Sequence, residues 1–435
     1  MRHLLIAAAL LAATPALAQQ PPAPVAAAER QTPRQTAEAV AARIRQLYFD
    51  PAAAERIAGD LEQAAASGAF DALTDGPDLA AALSARLRPA DAHFNVAYDP
   101  GAPVARPRPG EGGPAPRPVV RGPNPEARAH YGFRKVEILP GNIGYIDLRQ
   151  FSNIDFSNAD DPARNAADAA LAFVADTDAV IFDLRDNGGG APSMVGYLTS
   201  AFTPANAPIY NVFHSREGME SEAPTVFYPT PRLDVPLYVL ISARTGSAGE
   251  AFPYTLQGAR RATIVGEASG GAANPGGVVP VGGGFAVFIS QGSPRNPVTG
   301  RNWEGSGVQP DEATPWNEAL DRAQALALER IVAADAGRRD AAWALEALTA
   351  STAPGDLAPY AGTYGEAAVS VSGDGLAIAR GRRPPVLLRR LDGDTFTVVG
   401  DPSRRYRFSR DASGRVTAFD GLSPNGPGPR TRRTD

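Results

Sequence analysis

Two short apolar runs, each followed by a glycine-containing turn, constrain this fold most. Residues 179–184 (AVIFDL) lead into the triple glycine of 188–190, and residues 237–241 (LYVLI) lead into the segment 245–250 (TGSAGE). Apolar runs of this length bounded by turn residues are typical of buried strands. Each turn therefore follows the end of a predicted strand. The residues after the second turn, 251–256, predict a helix.

The order of the remaining patterns predicts an α/β core between two smaller regions. Strands alternate with helices in the middle of the chain, which favours an α/β arrangement. Helical patterns with N-caps at Thr32 and Asp50 precede it, and short strands between Gly- and Asp-rich turns follow it. The predicted divisions are a signal peptide at 1–18, a disordered segment at 19–31, an N-terminal helical domain at 32–100, a Pro/Gly-rich linker at 101–128, a core at 129–335, a C-terminal antiparallel β domain at 356–421 and a disordered tail at 422–435.

The start of the chain has the pattern of a secretory signal peptide. A basic beginning precedes an apolar segment at 4–13, and the small-residue cleavage site follows at 16–18. We therefore expect an exported protein, periplasmic or secreted, whose mature chain starts at Gln19. No later apolar run is long enough to span a bilayer, so no membrane insertion is expected after the signal is removed.

Composition excludes several kinds of site. The chain has no cysteine, which rules out disulfides, thiolate nucleophiles and thiolate-bound metals. Its net charge of -5 gives no general attraction to nucleic acid. Lys135 is the only lysine, and its polar and apolar neighbours predict the exposed face of a strand. A serine–lysine catalytic pair is therefore not expected.

Ser247 has two interpretations. A serine at a sharp turn between strand and helix is held with its hydroxyl exposed, and the following backbone N–H groups can stabilise an oxyanion. Ser247 and Glu250 also form the S-x-x-E pattern of a capping box, which needs no catalytic role.

A serine nucleophile needs a base, and two further segments offer the partners. His93 lies in the sequence Asp91-Ala-His-Phe, between the helical region and the linker. Histidine is the usual base for serine. Glu304 lies among glycines beside Trp303 and has the charge to orient a histidine. The alternatives are an ordinary surface or core histidine and an exposed turn glutamate.

Taken together, these segments resemble the tail-specific, or C-terminal-processing, serine peptidase family. They are most similar to its branch with the tricorn core protease and the interphotoreceptor retinoid-binding protein repeats. The matching segments keep the family's order: YGF at 131–133, GYI at 144–146, DLRDNGGG at 183–190, TGSAGE at 245–250, ATIVGE at 262–267 with Gly270 and Gly271, and NWEGSGVQPD at 302–311.

The resemblance implies a ClpP/crotonase-like α/β core and hydrolysis of peptide bonds through an acyl-enzyme. The substrate would be a peptide or protein, and neither a metal nor an organic cofactor is implied. In the processing branch a lysine acts as the base; its position falls near Ala272, where no lysine stands. In the tricorn-like branch a histidine is the base and a glutamate orients it, and these roles fall on His93 and Glu304. The resemblance places the nucleophile at Ser247 and the two oxyanion N–H donors at Ala248 and Gly189.

Two departures from that branch matter. The serine that precedes the histidine in tricorn is replaced by Ala92, so Asp91 is a second candidate to orient His93. The stretch 101–128 is too short for the PDZ domain of the processing proteases. Two other functions stay open: a non-catalytic protein that binds a peptide or an apolar ligand on the same fold, and an esterase. The sequence makes no prediction about oligomeric state.

Overall fold

The structure, a computed structural model, describes residues 31–100, 124–350 and 355–435. The predicted signal peptide, the segment 19–30 and most of the linker lie outside the described residues. Within those three ranges, no helix is both long and apolar enough to cross a membrane.

The N-terminal region contains three capped helices and one strand. Thr32 Oγ1 accepts the N–H of Gln35, and Asp50 accepts two N–H groups at the start of the second helix, as the sequence predicts. The elements are α1 (Pro33–Leu47), α2 (Pro51–Ala66), α3 (Gly76–Leu87) and β1 (Asn95–Tyr98).

The middle of the chain alternates strands and helices. Its elements are α4 (Pro125–Arg128), β2 (Phe133–Leu139), β3 (Ile143–Leu148), α5 (Pro162–Phe173), β4 (Ala179–Asp183), α6 (Pro192–Ser200), β5 (Val212–Ser215), β6 (Met219–Ser221), β7 (Leu237–Ile241), α7 (Ala248–Gly258), β8 (Thr263–Gly266), β9 (Gly276–Gly282), β10 (Phe285–Ser290), β11 (Gly292–Arg295), β12 (Glu312–Ala313), α8 (Ala319–Ala334) and α9 (Arg339–Thr349). The helix α9 is an element that the sequence analysis does not predict.

A six-stranded sheet with the order β12-β8-β7-β4-β3-β2 forms the centre of the molecule. Its pairs are parallel except for β2 against β3. Alternate side chains of β4 enter two cores: Val180 and Phe182 face the α5–α7 side, and Ala179 and Ile181 face the α8–α9 side. The predicted α/β core is thus confirmed as a sheet covered by helices on both faces.

The strands β4 and β7 are parallel neighbours in this sheet. Their carboxyl ends therefore lie at the same edge, and the two glycine turns that follow them meet there. In open parallel sheets this edge is where ligands usually bind.

The N-terminal region does not form a core of its own. Strand β1 pairs with β10, which pairs with β9, and the apolar side chains of this small sheet pack against α1–α3. Val96, Val287 and Ile289 belong to one buried cluster with Ile44 and Leu83. The hairpin β9–β10 thus carries the N-terminal helices on the core.

The C-terminal region is an eight-stranded antiparallel meander. Its strands are β13 (Gly362–Tyr364), β14 (Ala367–Ser372), β15 (Gly375–Arg380), β16 (Arg383–Asp392), β17 (Thr395–Val398), β18 (Asp401–Arg410), β19 (Val416–Ser423) and β20 (Gly426–Arg432). A bridge between Tyr364 and Arg433 joins the last residues to β13, which brings the sheet close to a barrel. The predicted antiparallel β domain is confirmed.

The predicted disordered tail at 422–435 is wrong. Residues Gly426–Arg432 form β20, which pairs along β19. Arg430 binds the carboxylate of Asp420 through two nitrogens, at 3.0 and 2.9 Å. Pro and Gly suggested disorder, but prolines are tolerated in a strand at the end of a sheet, where one row of N–H groups needs no partner.

Candidate active site

Ser247 lies at the sharp turn between β7 and α7. Thr245 anchors this turn, because its Oγ1 donates to the carbonyl of Leu184 at 2.8 Å and accepts the N–H of Ser242 at 3.0 Å. Ser247 has φ 53° and ψ -124°. An ordinary N-cap has extended backbone angles, and a positive φ strains a residue with a side chain. The backbone of Ser247 is therefore not that of a common helix cap.

The turn after β4, residues 187–190, is called the glycine turn, and the turn that carries Ser247, residues 245–247, is called the serine turn. The two turns pack directly against each other. Gly189 has φ +119°, and a Cβ atom placed there would lie 2.8 Å from Ser247 Cβ and 3.2 Å from the nitrogen of Ala248. The carbonyl of Asn187, at the base of the same turn, accepts the N–H of Gly246 at 3.0 Å. Only glycine fits at position 189, and it lets the two turns meet at van der Waals distance.

The N–H of Gly189 is not free in this structure, contrary to the expectation for an oxyanion donor. It donates to Asn187 Oδ1 at 2.8 Å, the Asx-turn contact that an asparagine side chain makes two residues on. Asn187 is itself held, because its Nδ2 donates to the carbonyl of Leu148 at 2.9 Å. The N–H of Ala248, by contrast, makes no hydrogen bond among the described residues.

His93 turns one edge of its ring toward two carboxylates. Its Nδ1 lies 3.5 Å from Asp91 Oδ1 and 3.8 Å from Glu304 Oε2, and no hydrogen bond to this buried atom forms in the described structure. The ring stacks on Phe288 with centroids 5.6 Å apart, and 13% of the side chain is exposed. Because Nδ1 faces the carboxylates, Nε2 is the ring nitrogen left for a reacting group.

The two carboxylates differ in their electrostatics. Burial opposes ionisation of Asp91, but the polar groups that face it, the His93 ring foremost, outweigh burial and hold the pKa of Asp91 below the ordinary value. Burial, and then the charge of Asp91, raise the pKa of Glu304. Asp91 is therefore charged over a wider pH range than Glu304 is.

Backbone N–H groups, and not the histidine ring, hold Glu304. Its carboxylate accepts the N–H of Ala92 at 3.1 Å, of Ala273 at 2.6 Å and of Asn274 at 3.1 Å. The contact with Ala92 is made through the backbone, since an alanine side chain has no donor. Glu304 thus fixes the chain next to His93.

A single loop, residues 271–274, joins the serine side of the site to the histidine side. Ala272 donates to Glu250, whose carboxylate also accepts the N–H of Ser247, while Ala273 and Asn274 donate to Glu304. Ser247 and His93 are brought to the two ends of this loop. No hydrogen bond between their side chains occurs in the described structure.

The sequence analysis misses three residues that shape the site. Asn274 Nδ2 donates to Asp91 at 3.2 Å, and the buried ring of Tyr48 lies beside the same carboxylate, where burial and then Asp91 raise the pKa of the phenol. Asn187 holds the glycine turn. The Asn-Gly pair at 187–188 is a turn signal that could have identified the last of these; the other two contacts are long-range and have no local signal.

The same cluster has the composition of a cation site. Asp91, His93 and Glu304 offer ligand atoms that all lie within 4.8 Å of one another. Glu304 Oε2 already accepts two N–H groups, however, and Asp91 accepts the His93 N–H and the Asn274 amide. The present hydrogen bonds therefore already use part of the accepting capacity of both carboxylates.

Comparison with known proteins points to a family for the core. Residues 142–314 match the sequence model described as Peptidase family S41. The chain is 26% identical over 208 residues to the chloroplastic carboxyl-terminal-processing peptidase 1 of Arabidopsis thaliana, which covers 47% of this chain and 40% of that protein. The chain thus spans less than half the length of this curated relative.

Solved structures also match part of the chain. A photosystem II D1 C-terminal processing protease matches at 21% identity and a TM-score of 0.32, over 40% of this chain and 42% of that one. A putative peptidase from Parabacteroides merdae matches at 18% identity and a TM-score of 0.42, over 66% of this chain and 90% of that one.

Proposed function

From the peptidase family S41 domain that this chain carries over residues 142–314, we propose that the protein is a serine peptidase with a serine, histidine and carboxylate site. The observation that carries the proposal is the strained Ser247 at the carboxyl edge of the sheet. It lies at one end of a loop whose other end holds a histidine between two carboxylates. That combination suits a nucleophile better than a helix cap.

The proposed reaction passes through an acyl-enzyme. Ser247 Oγ attacks the carbonyl carbon of the peptide bond while His93 Nε2 takes the hydroxyl proton. The tetrahedral intermediate collapses, the C–N bond breaks and His93 returns the proton to the leaving amine. Water then attacks the ester carbon, again with His93 as base, and frees the carboxylic acid and Ser247.

Two groups of residues support these steps. Asp91 and Glu304 face Nδ1 of His93, so the imidazolium that forms when His93 takes the serine proton lies against two carboxylates. The free N–H of Ala248 is the first oxyanion donor. Gly189 supplies the second donor only after its N–H exchanges the contact with Asn187 for the oxyanion. The nucleophile–base hydrogen bond is commonly long before substrate binds.

We propose a peptide or protein as the substrate and an exported location, periplasmic or secreted. The location rests on the signal-peptide pattern of the first residues. Selection of a free C-terminus is not part of the proposal.

The test is labelling of the mature protein with a fluorophosphonate probe, which reacts with activated serines. We expect wild type to be labelled and both Ser247→Ala and His93→Ala to lose the label, each with an unchanged circular dichroism spectrum. A folded wild type without label would contradict the peptidase and favour a binding protein on the same fold. Labelled protein that cleaves esters but no peptide library would favour an esterase.

A further inference from the structure

Glu250 is a fully buried carboxylate, 0% exposed, just behind the proposed nucleophile. Its Oε2 accepts the N–H of Ser247 at 2.8 Å and of Ala272 at 2.9 Å. Its Oε1 accepts the hydroxyl of Ser269 at 2.6 Å and the N–H of Gly271 at 2.7 Å. All four donors are neutral groups, so hydrogen bonds alone compensate the buried charge.

Four successive N–H groups divide between two carboxylates. Those of residues 271 and 272 donate to Glu250, and those of residues 273 and 274 donate to Glu304. Any shift of this loop relative to Glu250 therefore shifts the donors that hold Glu304.

A second set of contacts fixes the backbone on both sides of Glu304. Ser269 Oγ, which donates to Glu250, accepts the N–H of Val308 at 2.6 Å. The N–H of Gly305 donates to the carbonyl of Gly271 at 2.8 Å. The segment that carries Glu304 thus rests on the same residues that Glu250 binds.

We propose that Glu250 is a positioning residue that sets the distance between Ser247 and the His93–Glu304 side of the site. The inference rests on the proposed function and deepens it. Glu250 touches no reacting atom. It holds the strained backbone of Ser247 with one oxygen, and with both oxygens it holds the loop 271–274 that carries Glu304.

The carboxylate is needed because each of its oxygens accepts two donors. A glutamine has the same shape but only one oxygen, and its NH₂ group donates. In one orientation the NH₂ group of Glu250→Gln would face the N–H of Ser247 and Ala272. In the other it would face Ser269 and Gly271. Either way the loop or the serine turn must move.

The experiment compares Glu250→Gln with Glu222→Gln in the fluorophosphonate assay. Glu222 is also a buried glutamate, hydrogen-bonded to Asn211 at 2.7 Å and not part of the site. We expect Glu250→Gln to lower the maximal labelling rate by about 10²-fold, the cost of a misplacement near 1 Å. The probe concentration at half-maximal rate should stay unchanged, and Glu222→Gln should label like wild type.

Amide hydrogen exchange gives a readout that does not depend on activity. In Glu250→Gln we expect faster exchange at Ala273 and Asn274, whose N–H groups donate to Glu304 and not to residue 250, with the central strands still protected. If Glu250→Gln does not fold, Ser269→Ala removes one donor to Glu250, together with the acceptor of the Val308 N–H, and should slow labelling while it accelerates the same exchange.

Two results would overturn the inference: labelling of folded Glu250→Gln at the wild-type rate, or unchanged exchange at residues 273 and 274. An unlabelled wild type together with faster exchange in Glu250→Gln would instead overturn the peptidase proposal and leave the coupling in place.

Discussion

At the residue scale, the site pairs one histidine with two carboxylates of unequal charge. The pKa of Asp91 is held low and that of Glu304 is raised, although both face Nδ1 of His93. Asp91 is also the nearer of the two, at 3.5 Å. We infer that Asp91 carries most of the charge stabilisation, whereas Glu304 serves mainly to hold the chain beside Ala92.

Asp91→Asn should therefore reduce labelling more than Glu304→Gln does. Loss of the charged partner of a catalytic histidine costs on the order of 10²- to 10⁴-fold in rate, and we expect a smaller loss for Glu304→Gln. The measurement is the fluorophosphonate labelling rate of both variants between pH 6 and pH 9. A larger loss in Glu304→Gln would reverse the assignment.

Glu222 gives a prediction about stability and pH. Burial raises the pKa of its carboxyl to about 8, so the folded protein holds this proton more tightly than the unfolded chain does. The free energy of unfolding should then fall as the pH rises from the ordinary glutamate range through 8. Glu222→Gln has no proton to lose, so it should be more stable than wild type at pH 9, and the difference should shrink toward pH 5. Urea denaturation at both values checks this, and a constant difference would contradict it.

At the element scale, two strand ends and their turns form one unit. Asn187 and Thr245 tie the ends of β3, β4 and β7 together, and Gly189 lets the two turns touch. Ser247, the proposed nucleophile, is thus held by the sheet through buried hydrogen bonds. Its position depends on the spacing of two turns that are about sixty residues apart in the chain.

Gly189→Ala should separate these turns. Its Cβ would meet Ser247 Cβ at 2.8 Å, in a backbone conformation with φ +119° that alanine rarely adopts. We expect a loss of stability of about 1–3 kcal/mol and slower labelling. Gly188→Ala is the matched control, because a Cβ there has no atom within 4 Å. Equal urea midpoints for the two variants would argue against close packing of the turns.

The sequence predicts elements with strong local signals well. The capped helices, the apolar strands and the turn before α7 follow from their own residues. The joint role predicted for Ser247, His93 and Glu304 stays a prediction. What it does not predict depends on distant partners. The rotamer of Asn187 decides whether the Gly189 N–H is free, and the ladder along β19, with Asp420 beside Arg430, orders a tail whose composition suggests disorder.

At the scale of the whole molecule, the N-terminal region and the C-terminal meander each pack against the central α/β region. The N-terminal helices share a core with the hairpin β9–β10, and the C-terminal meander rests on α9. Arg405 of β18 contributes to the contact between the meander and α9. It is 6% exposed, lies 4.3 Å above the ring of Trp343, and binds Glu346 at 2.6 Å.

Arg405→Ala should weaken the attachment of the meander. Loss of a hydrogen-bonded charged contact costs about 1.5–3 kcal/mol. We therefore expect calorimetry to show a separate unfolding transition of the C-terminal region at a lower temperature. Arg404→Ala is the control, because this exposed neighbour makes only long contacts inside the meander, with Asp401 at 4.0 Å and the Tyr406 hydroxyl at 3.5 Å. Identical thermograms for the two variants would show that Arg405 does not hold the regions together.

The layered assembly also sets when the site can exist during biosynthesis. The hydrogen bond from Ala92 to Glu304 spans 212 positions, and that from Asn274 to Asp91 spans 183. A ribosome releases the N-terminal helices first and Glu304 last of these groups. A nascent chain therefore displays its histidine, and later its serine, without the carboxylate that brings them together. For the serine peptidase proposed above, the growing polypeptide would then stay inert toward itself and its neighbours until the core is nearly complete.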